Sequence, residues 1–93
     1  MPLIKYSSAP RLRTVPDLCS HLGLAVRAVR LRRGWSQELL SEKSGLDRTY
    51  VSGLERGRRN PALLTLARLA DALEVPLSEL IRDAEENSGA LYL

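Results

Sequence analysis

The fold is decided by residues 34–57, which have the sequence GWSQELLSEKSGLDRTYVSGLERG. Two short helices are predicted within it, over about residues 37–44 and 48–56, because Ser36 and Asp47 are placed to cap their N-termini. A glycine, which tolerates the positive φ of a tight turn, follows each segment, at Gly45 and Gly57. The inward-facing side chains expected to hold the two helices at a fixed angle are Leu40, Val51 and Leu54.

Three further helices are predicted around this pair. Residues 18–33 place apolar side chains at helical spacing with arginines opposite, which predicts a helix. Asp17 is expected to cap its N-terminus. Residues 60–73 begin with an Asn-Pro pair, which is a favourable N-cap and first-turn combination. The last helix is expected over about residues 77–83, after a Val-Pro break.

The chain is therefore predicted to be an all-α protein with one five-helix domain. No strand signal appears, and 93 residues suffice for a single domain. The domain is expected over residues 17–84, between an N-terminal arm or tail (1–16) and a loosely ordered C-terminal tail (85–93).

Charge divides the chain into a basic front and an acidic back. Residues 1–70 carry 13 Lys and Arg against 5 Asp and Glu, a balance of +8. Residues 71–93 carry 1 Arg against 6 acidic residues, a balance of −5. A basic face suits a domain that binds a polyanion, although solvated surface charge would give the same asymmetry. The aromatic content of 4%, without Phe, argues against a surface that stacks single-stranded nucleotides.

The sequence gives little support for chemistry other than binding. The single cysteine, Cys19, excludes an internal disulfide and a cysteine-rich zinc site, and His21 does not share a helical face with it. No catalytic carboxylate pair and no phosphate-cradling loop is evident, so neither an enzyme nor a metal or cofactor site is expected. No apolar run is long enough to span a membrane, and no signal-peptide core appears, so a cytoplasmic protein is expected.

Residues 34–61 resemble the phage repressor/Cro type of helix-turn-helix, the XRE family, and the similarity extends over about residues 20–82. Within that family, residues 46–56 are most similar to the controller proteins of restriction–modification operons. The resemblance implies a repressor-like transcriptional regulator that binds a double-stranded DNA operator as a homodimer. The chain departs from the family pattern at Leu39, Ser41 and Leu64, where polar, small and polar residues respectively are common.

The resemblance also implies DNA contacts. The base-reading residues would lie on the outer face of the second helix of the pair, at Arg48, Thr49, Ser52 and Gly53. The implied phosphate contacts are Gln37, Tyr50, Arg56, Arg58, Arg59 and Asn60. Two alternatives stay open. Arg48 could contact only a phosphate, and the basic loop with Arg56, Arg58 and Arg59 could be solvated without binding DNA. A salt bridge between Arg30 and Glu55 is implied to orient the recognition helix.

Dimerisation is expected through the last two helices. Leu77, Leu80 and Ile81 form an apolar stripe beyond what a monomer needs, and Leu64 points away from the helical face that carries Leu63. Single exposed leucines are nevertheless ordinary on protein surfaces. The alternative function is an antitoxin-type interaction module that binds a toxin partner as well as its own operator.

Overall fold

The computed structural model of the protein describes the backbone of residues 15–86 and the side chains of residues 18–86. This part of the chain contains five helices and no strand: α1 (Val15–Arg32), α2 (Gln37–Ser44), α3 (Arg48–Glu55), α4 (Leu63–Leu73) and α5 (Leu77–Glu86). The predicted all-α, five-helix fold is confirmed for these residues. Most of the expected N-terminal arm and C-terminal tail lies outside them. Between residues 15 and 86, no helix combines the length and apolar character that crossing a membrane requires.

The ends of α2 coincide with the prediction. Ser36 Oγ accepts a hydrogen bond from the Leu39 amide at 3.0 Å, as an N-cap should. Gly45 has a φ of 77°, and its amide donates to the Ser41 carbonyl at 2.9 Å. The Ser41 hydroxyl donates to the carbonyl of Leu46 across the turn. A serine cap and a left-handed glycine therefore fix the connection between α2 and α3.

The two aspartates predicted to cap helices do not match that prediction. Helix α1 begins at Val15, so Asp17 lies within it. Pro16 explains the early start, because proline is tolerated in the first turn of a helix, where its missing N–H is not needed. Asp47 does occupy the N-cap position of α3, but its side chain makes no capping hydrogen bond.

Helices α4 and α5 also differ from the prediction at one end each. Helix α4 begins at Leu63 after the extended residue Ala62, so Asn60 and Pro61 belong to the connection that leads out of α3. Helix α5 continues to Glu86, three residues beyond the predicted end. The extra turn is supported by burial of Ala84, which packs in the core.

One hydrophobic core joins the five helices. Helix α1 packs against α3 and α5, α2 packs against α3 and α4, and α4 contacts α5. The largest fully buried side chains come from every helix: Val26, Val29, Leu40, Val51, Leu54, Leu69, Leu73 and Leu80. The prediction that Leu40, Val51 and Leu54 lock the α2–α3 pair is confirmed.

Two leucines lie where the sequence did not place them. Leu80 has no exposed surface and belongs to the core of its own chain, so it cannot contribute to a surface stripe. Leu63, assigned to the inner face of α4, is 68% exposed, because α4 begins there and its first residue projects beyond the core. Leu64 is 77% exposed, as expected.

Arginines connect helix ends that are distant in sequence. Arg68 Nη2 donates to the carbonyls of Ser44 and Gly45, at 3.1 and 3.2 Å, where α2 ends. Arg33 Nε donates to the Leu73 carbonyl, at 2.6 Å, where α4 ends. Each guanidinium satisfies carbonyls that have no partner within their own helix and lies at the negative end of its dipole.

Helix α1 crosses α3 at Gly23 with the two backbones in direct contact. A Cβ atom at this position would lie 2.3 Å from the carbonyl oxygen of Leu54 and 2.6 Å from that of Glu55. No side chain fits in that space. Glycine at position 23 therefore sets the distance between α1 and the C-terminal end of α3.

Replacement of Gly23 with alanine is expected to lower the free energy of unfolding by about 1–3 kcal/mol, the usual cost of overpacking. The sign of this change in the free energy of unfolding is informative, because alanine at an unhindered helical position is favoured over glycine by about 1 kcal/mol. Urea unfolding measures the change. Ala28→Gly, at an exposed position of the same helix, calibrates the propensity effect, and a Gly23→Ala variant more stable than wild type would contradict the close approach.

Candidate nucleic-acid interface

Helix α3 presents two faces of different character. Val51 and Leu54 are buried in the core, whereas Arg48 and Thr49 are exposed at the N-terminal end, and Ser52 is half-buried one turn further on. Three of the four side chains predicted to read bases are therefore at least partly accessible. The other face of the same helix is fixed against the rest of the domain.

Gly53, the fourth predicted base reader, is not on the open surface. It is buried because the Arg59 side chain lies across it: a Cβ atom on Gly53 would be 3.1 Å from Arg59 Nε and 3.5 Å from its Cγ. The Arg59 guanidinium also lies over the Tyr50 ring, 5.2 Å from its centroid. Gly53 is therefore not accessible to a ligand in this structure, although it was predicted to read bases.

The basic segment, residues 56–60, leaves α3 by a tight backbone turn. Gly57 has a φ of 76°, its amide donates to the Leu54 carbonyl, and the Arg58 amide donates to the Gly53 carbonyl at 2.9 Å. The exposed side chains of this segment are Arg56, Arg58, Arg59 and Asn60. Within residues 18–86, none of its arginines forms an ion pair, and neither does Arg48. Arginines at both ends of α3 thus carry positive charge that no ion pair within the described residues neutralises.

A buried ion pair connects α1 with the C-terminal end of α3. Arg30 Nε donates to Glu55 Oε2 at 2.7 Å and Arg30 Nη2 donates to Glu55 Oε1 at 2.9 Å, with the side chains only 8% and 2% exposed. Arg30 Nη1 donates to the Trp35 carbonyl at 2.7 Å. The hydrogen bond to Glu55 raises the pKa of Arg30 above its usual value although burial opposes the charge. The structure thus brings together the two residues that sequence resemblance paired.

Gln37 joins this pair from the first turn of α2. Its Nε2 donates to Glu55 Oε1 at 3.0 Å, so the side-chain amide points inward, whereas a phosphate contact through that amide was expected. Sequence reasoning missed the link. The available signal was that a carboxylate has more acceptor capacity than one guanidinium uses. The Glu55 carboxylate is consequently the place where α1, α2 and α3 meet.

Trp35 and Cys19 lie outside the predicted DNA contacts. Trp35 is half-buried against the core, with Lys43 Nζ 4.8 Å from its ring centroid. Cys19 is a free thiol at the rim of a groove. No cluster of three or more His, Cys, Asp and Glu able to hold a metal is present in the described part of the chain.

An apolar groove of about 140 Å³ lies where α1, α4 and α5 meet. The residues that line it are Leu18, Cys19, Leu22, Asn60, Pro61, Leu66, Ile81, Ala84 and Glu85. Of the predicted dimer residues, Ile81 is exposed in this groove and Leu64 is exposed on the first turn of α4. Leu77 is half-buried against the core.

Comparison with known proteins gives one family over most of this fold. Residues 26–80 match the helix-turn-helix family model HTH_3. The crystal structure of the restriction-modification controller protein C.AhdI from Aeromonas hydrophila is similar with a TM-score of 0.66 and 47% sequence identity. That match covers 69% of this chain and 96% of C.AhdI.

Two further relatives are similar in sequence. The "Neisseria hypothetical transcription factor" of Neisseria meningitidis serogroup B is 44% identical over 70 residues, which is 75% of this chain and 66% of that protein. The control protein C.SmaI of Serratia marcescens is 43% identical over 65 residues, 70% of this chain and 77% of that protein. The chain thus spans just under two thirds of the Neisseria protein and more of the other two.

Removal of either partner of the Arg30–Glu55 pair is expected to lower the free energy of unfolding by about 3–5 kcal/mol, because it leaves the other charge buried and unpaired. The double variant Arg30→Ala/Glu55→Ala should lose much less than the sum of the single losses. Urea unfolding of the four proteins measures the coupling.

The exposed pair Arg32–Glu79, with 4.0 Å between its charged atoms, provides the matched control. Alanine substitutions there should be nearly additive, because solvent-exposed ion pairs contribute little. Equal coupling energies in the double-mutant cycles of the two pairs would contradict the expected strong coupling of the buried pair.

Proposed function

The chain belongs to the helix-turn-helix family of DNA-binding transcriptional regulators, and on that premise we propose that it binds a specific duplex DNA operator as a homodimer. Helix α3 enters the major groove, which is about 12 Å wide and accepts one α-helix. The observation that carries this proposal is Arg48, which is exposed and forms no ion pair within residues 18–86. It lies beside Thr49 on a helix whose opposite face is fixed in the core. An arginine fork suits guanine O6 and N7, and the threonine methyl suits a thymine methyl.

Phosphate contacts come from the elements that flank α3. Arg56, Arg58 and Asn60 extend from the basic segment beside it, and the Tyr50 hydroxyl is a further donor. Because the Gln37 side chain is bonded to Glu55, its phosphate contact is assigned to the backbone amides at the N-terminus of α2. These contacts set the position of the protein on the duplex, and base reading by α3 sets its sequence preference.

The homodimer rests on apolar side chains outside the core. Leu80 is withdrawn from the predicted interface, so the surface consists of Ile81 at the groove and Leu64 on the first turn of α4, with half-buried Leu77 at its edge. Exposed Leu63 and Leu18 enlarge it. The relatives described above are regulators and control proteins, so they give no support to an antitoxin role.

The experiment that tests the function is selection of bound sites from random duplex DNA. A dimeric regulator should enrich two inverted half-sites whose centres are about 34 Å apart, or a multiple of that distance. Enrichment of a single unpaired half-site would contradict dimeric binding. Absence of any enriched sequence would contradict an operator-specific regulator.

Arg48→Ala is expected to cost about 1–3 kcal/mol in binding to the selected site and much less in binding to random DNA. Arg48→Lys should rescue only part of the loss, because lysine lacks the planar fork. Competition titrations over all single-base variants of one half-site measure this. Arg58→Ala is the control: it should weaken all sequences alike and lower the salt slope by about one. Uniform weakening by Arg48→Ala would reduce Arg48 to a phosphate contact.

Ile81→Glu is expected to shift the protein from dimer to monomer at micromolar concentration, because a carboxylate replaces an apolar contact in the proposed interface. Leu31→Glu is the control, since Leu31 is an exposed leucine on α1 about 20 Å along the helix from Leu18. Sedimentation velocity measures the state of each variant. A wild-type protein that stays monomeric both free and on DNA would contradict the proposed homodimer.

A further inference from the structure

We propose that Arg59 is a specificity-determining residue, which Gly53 and Tyr50 hold against α3 so that its guanidinium reads a base edge. The inference rests on the proposed DNA-binding function and adds a residue from outside the recognition helix. It replaces two assignments made from sequence, namely Gly53 as a base reader and Arg59 as a simple phosphate contact.

The space above Gly53 is occupied by the Arg59 side chain. This position shares the side of α3 that carries the other base-reading candidates, yet glycine contributes no side chain there. The Arg59 side chain fills the vacancy: its Nε, Cγ and Cδ lie 3.1, 3.5 and 3.8 Å from where a Cβ atom of Gly53 would be. A glycine inside a helix lowers helix stability, so it needs a compensating contact. The packing of the Arg59 side chain against Gly53 provides that contact.

The head group of Arg59 is held by the ring of Tyr50. Its guanidinium carbon lies 5.2 Å from the centroid of the Tyr50 ring, within range of a cation–π interaction. Among the hydrogen bonds and ion pairs of residues 18–86, none is made by Arg59. Apolar and aromatic contacts thus position the fork while its N–H donors stay available to a ligand. An arginine positioned before binding loses less side-chain entropy when it binds.

Arg58 differs from Arg59 in its contacts with α3. Both arginines are exposed in the same basic segment, but Arg58 has no contact of this kind with α3 in the described structure. A phosphate contact tolerates a mobile side chain, because the phosphate backbone is the same at every sequence. Only base reading requires a fixed direction of approach. The two neighbours therefore have different tasks.

The first test compares Arg59→Ala with Arg58→Ala. For each protein, Kd is measured at one salt concentration for the site selected from random DNA and for a scrambled duplex. The ratio of the two values is the specificity ratio. Arg59→Ala should lower this ratio by about tenfold or more, the discrimination of one bidentate base contact. Arg58→Ala should raise both Kd values and leave the ratio unchanged.

The second test moves Arg59 without removing it. Gly53→Ala places a methyl group against the Arg59 stem and should lower the specificity ratio as Arg59→Ala does. Alanine is the better helix former, so the melting temperature should stay the same or rise, which shows that the loss is not unfolding. Tyr50→Leu should also lower the ratio, whereas Tyr50→Phe keeps the ring and should keep the ratio even where a lost hydroxyl contact weakens affinity.

The outcomes separate this inference from the function on which it rests. If wild type prefers the selected site but Arg59→Ala weakens both duplexes alike, or Gly53→Ala keeps the full ratio, the assignment of Arg59 is overturned and DNA recognition stands. Equal loss of the ratio in Tyr50→Phe and Tyr50→Leu would also overturn the role of the ring. If wild type prefers no sequence, both proposals fail.

Discussion

The orientation of α3 depends on one buried carboxylate, that of Glu55. It accepts two hydrogen bonds from Arg30 on α1 and one from Gln37 on α2, and Arg30 is bonded in turn to the carbonyl of Trp35. A buried charge is tolerated only while it is paired and hydrogen-bonded. Separation of these helices would leave the carboxylate without partners. The main effect of the network is therefore to select one arrangement of the three helices, and its contribution to the net free energy of folding is secondary.

Arginine serves two separate purposes in this domain. Arg30, Arg33 and Arg68 bond to groups within the fold and hold helix ends together. Arg48 at the start of α3 and the arginines of the basic segment after its end are exposed and form no ion pair within residues 18–86. The net charge of the chain therefore overstates how many cations are available to a polyanion. DNA binding depends on the balance of basic and acidic side chains near α3.

The sequence was sufficient for the fold, because its signals are local or periodic. Ser36, Gly45 and the apolar spacing of α2 and α3 correctly predicted that pair of helices, and family resemblance paired Arg30 with Glu55. One error is local: Asp17 lies inside α1, because Pro16 is tolerated in the first turn of the helix. The other errors arise where long-range packing decides, as for Leu80, which is needed in the core of its own chain. The cover that Arg59 gives to Gly53 depends on how the chain turns at Gly57, which a helical wheel does not represent.

The backbone contact at Gly23 has a consequence for allosteric control. An allosteric effector changes DNA affinity only if it binds two arrangements of the protein with different free energies. Here α3 touches the α1 backbone directly and is joined to it by the Glu55 network, so tilting α3 alone would break close packing and strand a charge. The two helices therefore behave as a rigid body within the chain. In the proposed homodimer the remaining degree of freedom is the relative placement of the two subunits, so an effector would act on the proposed interface between them.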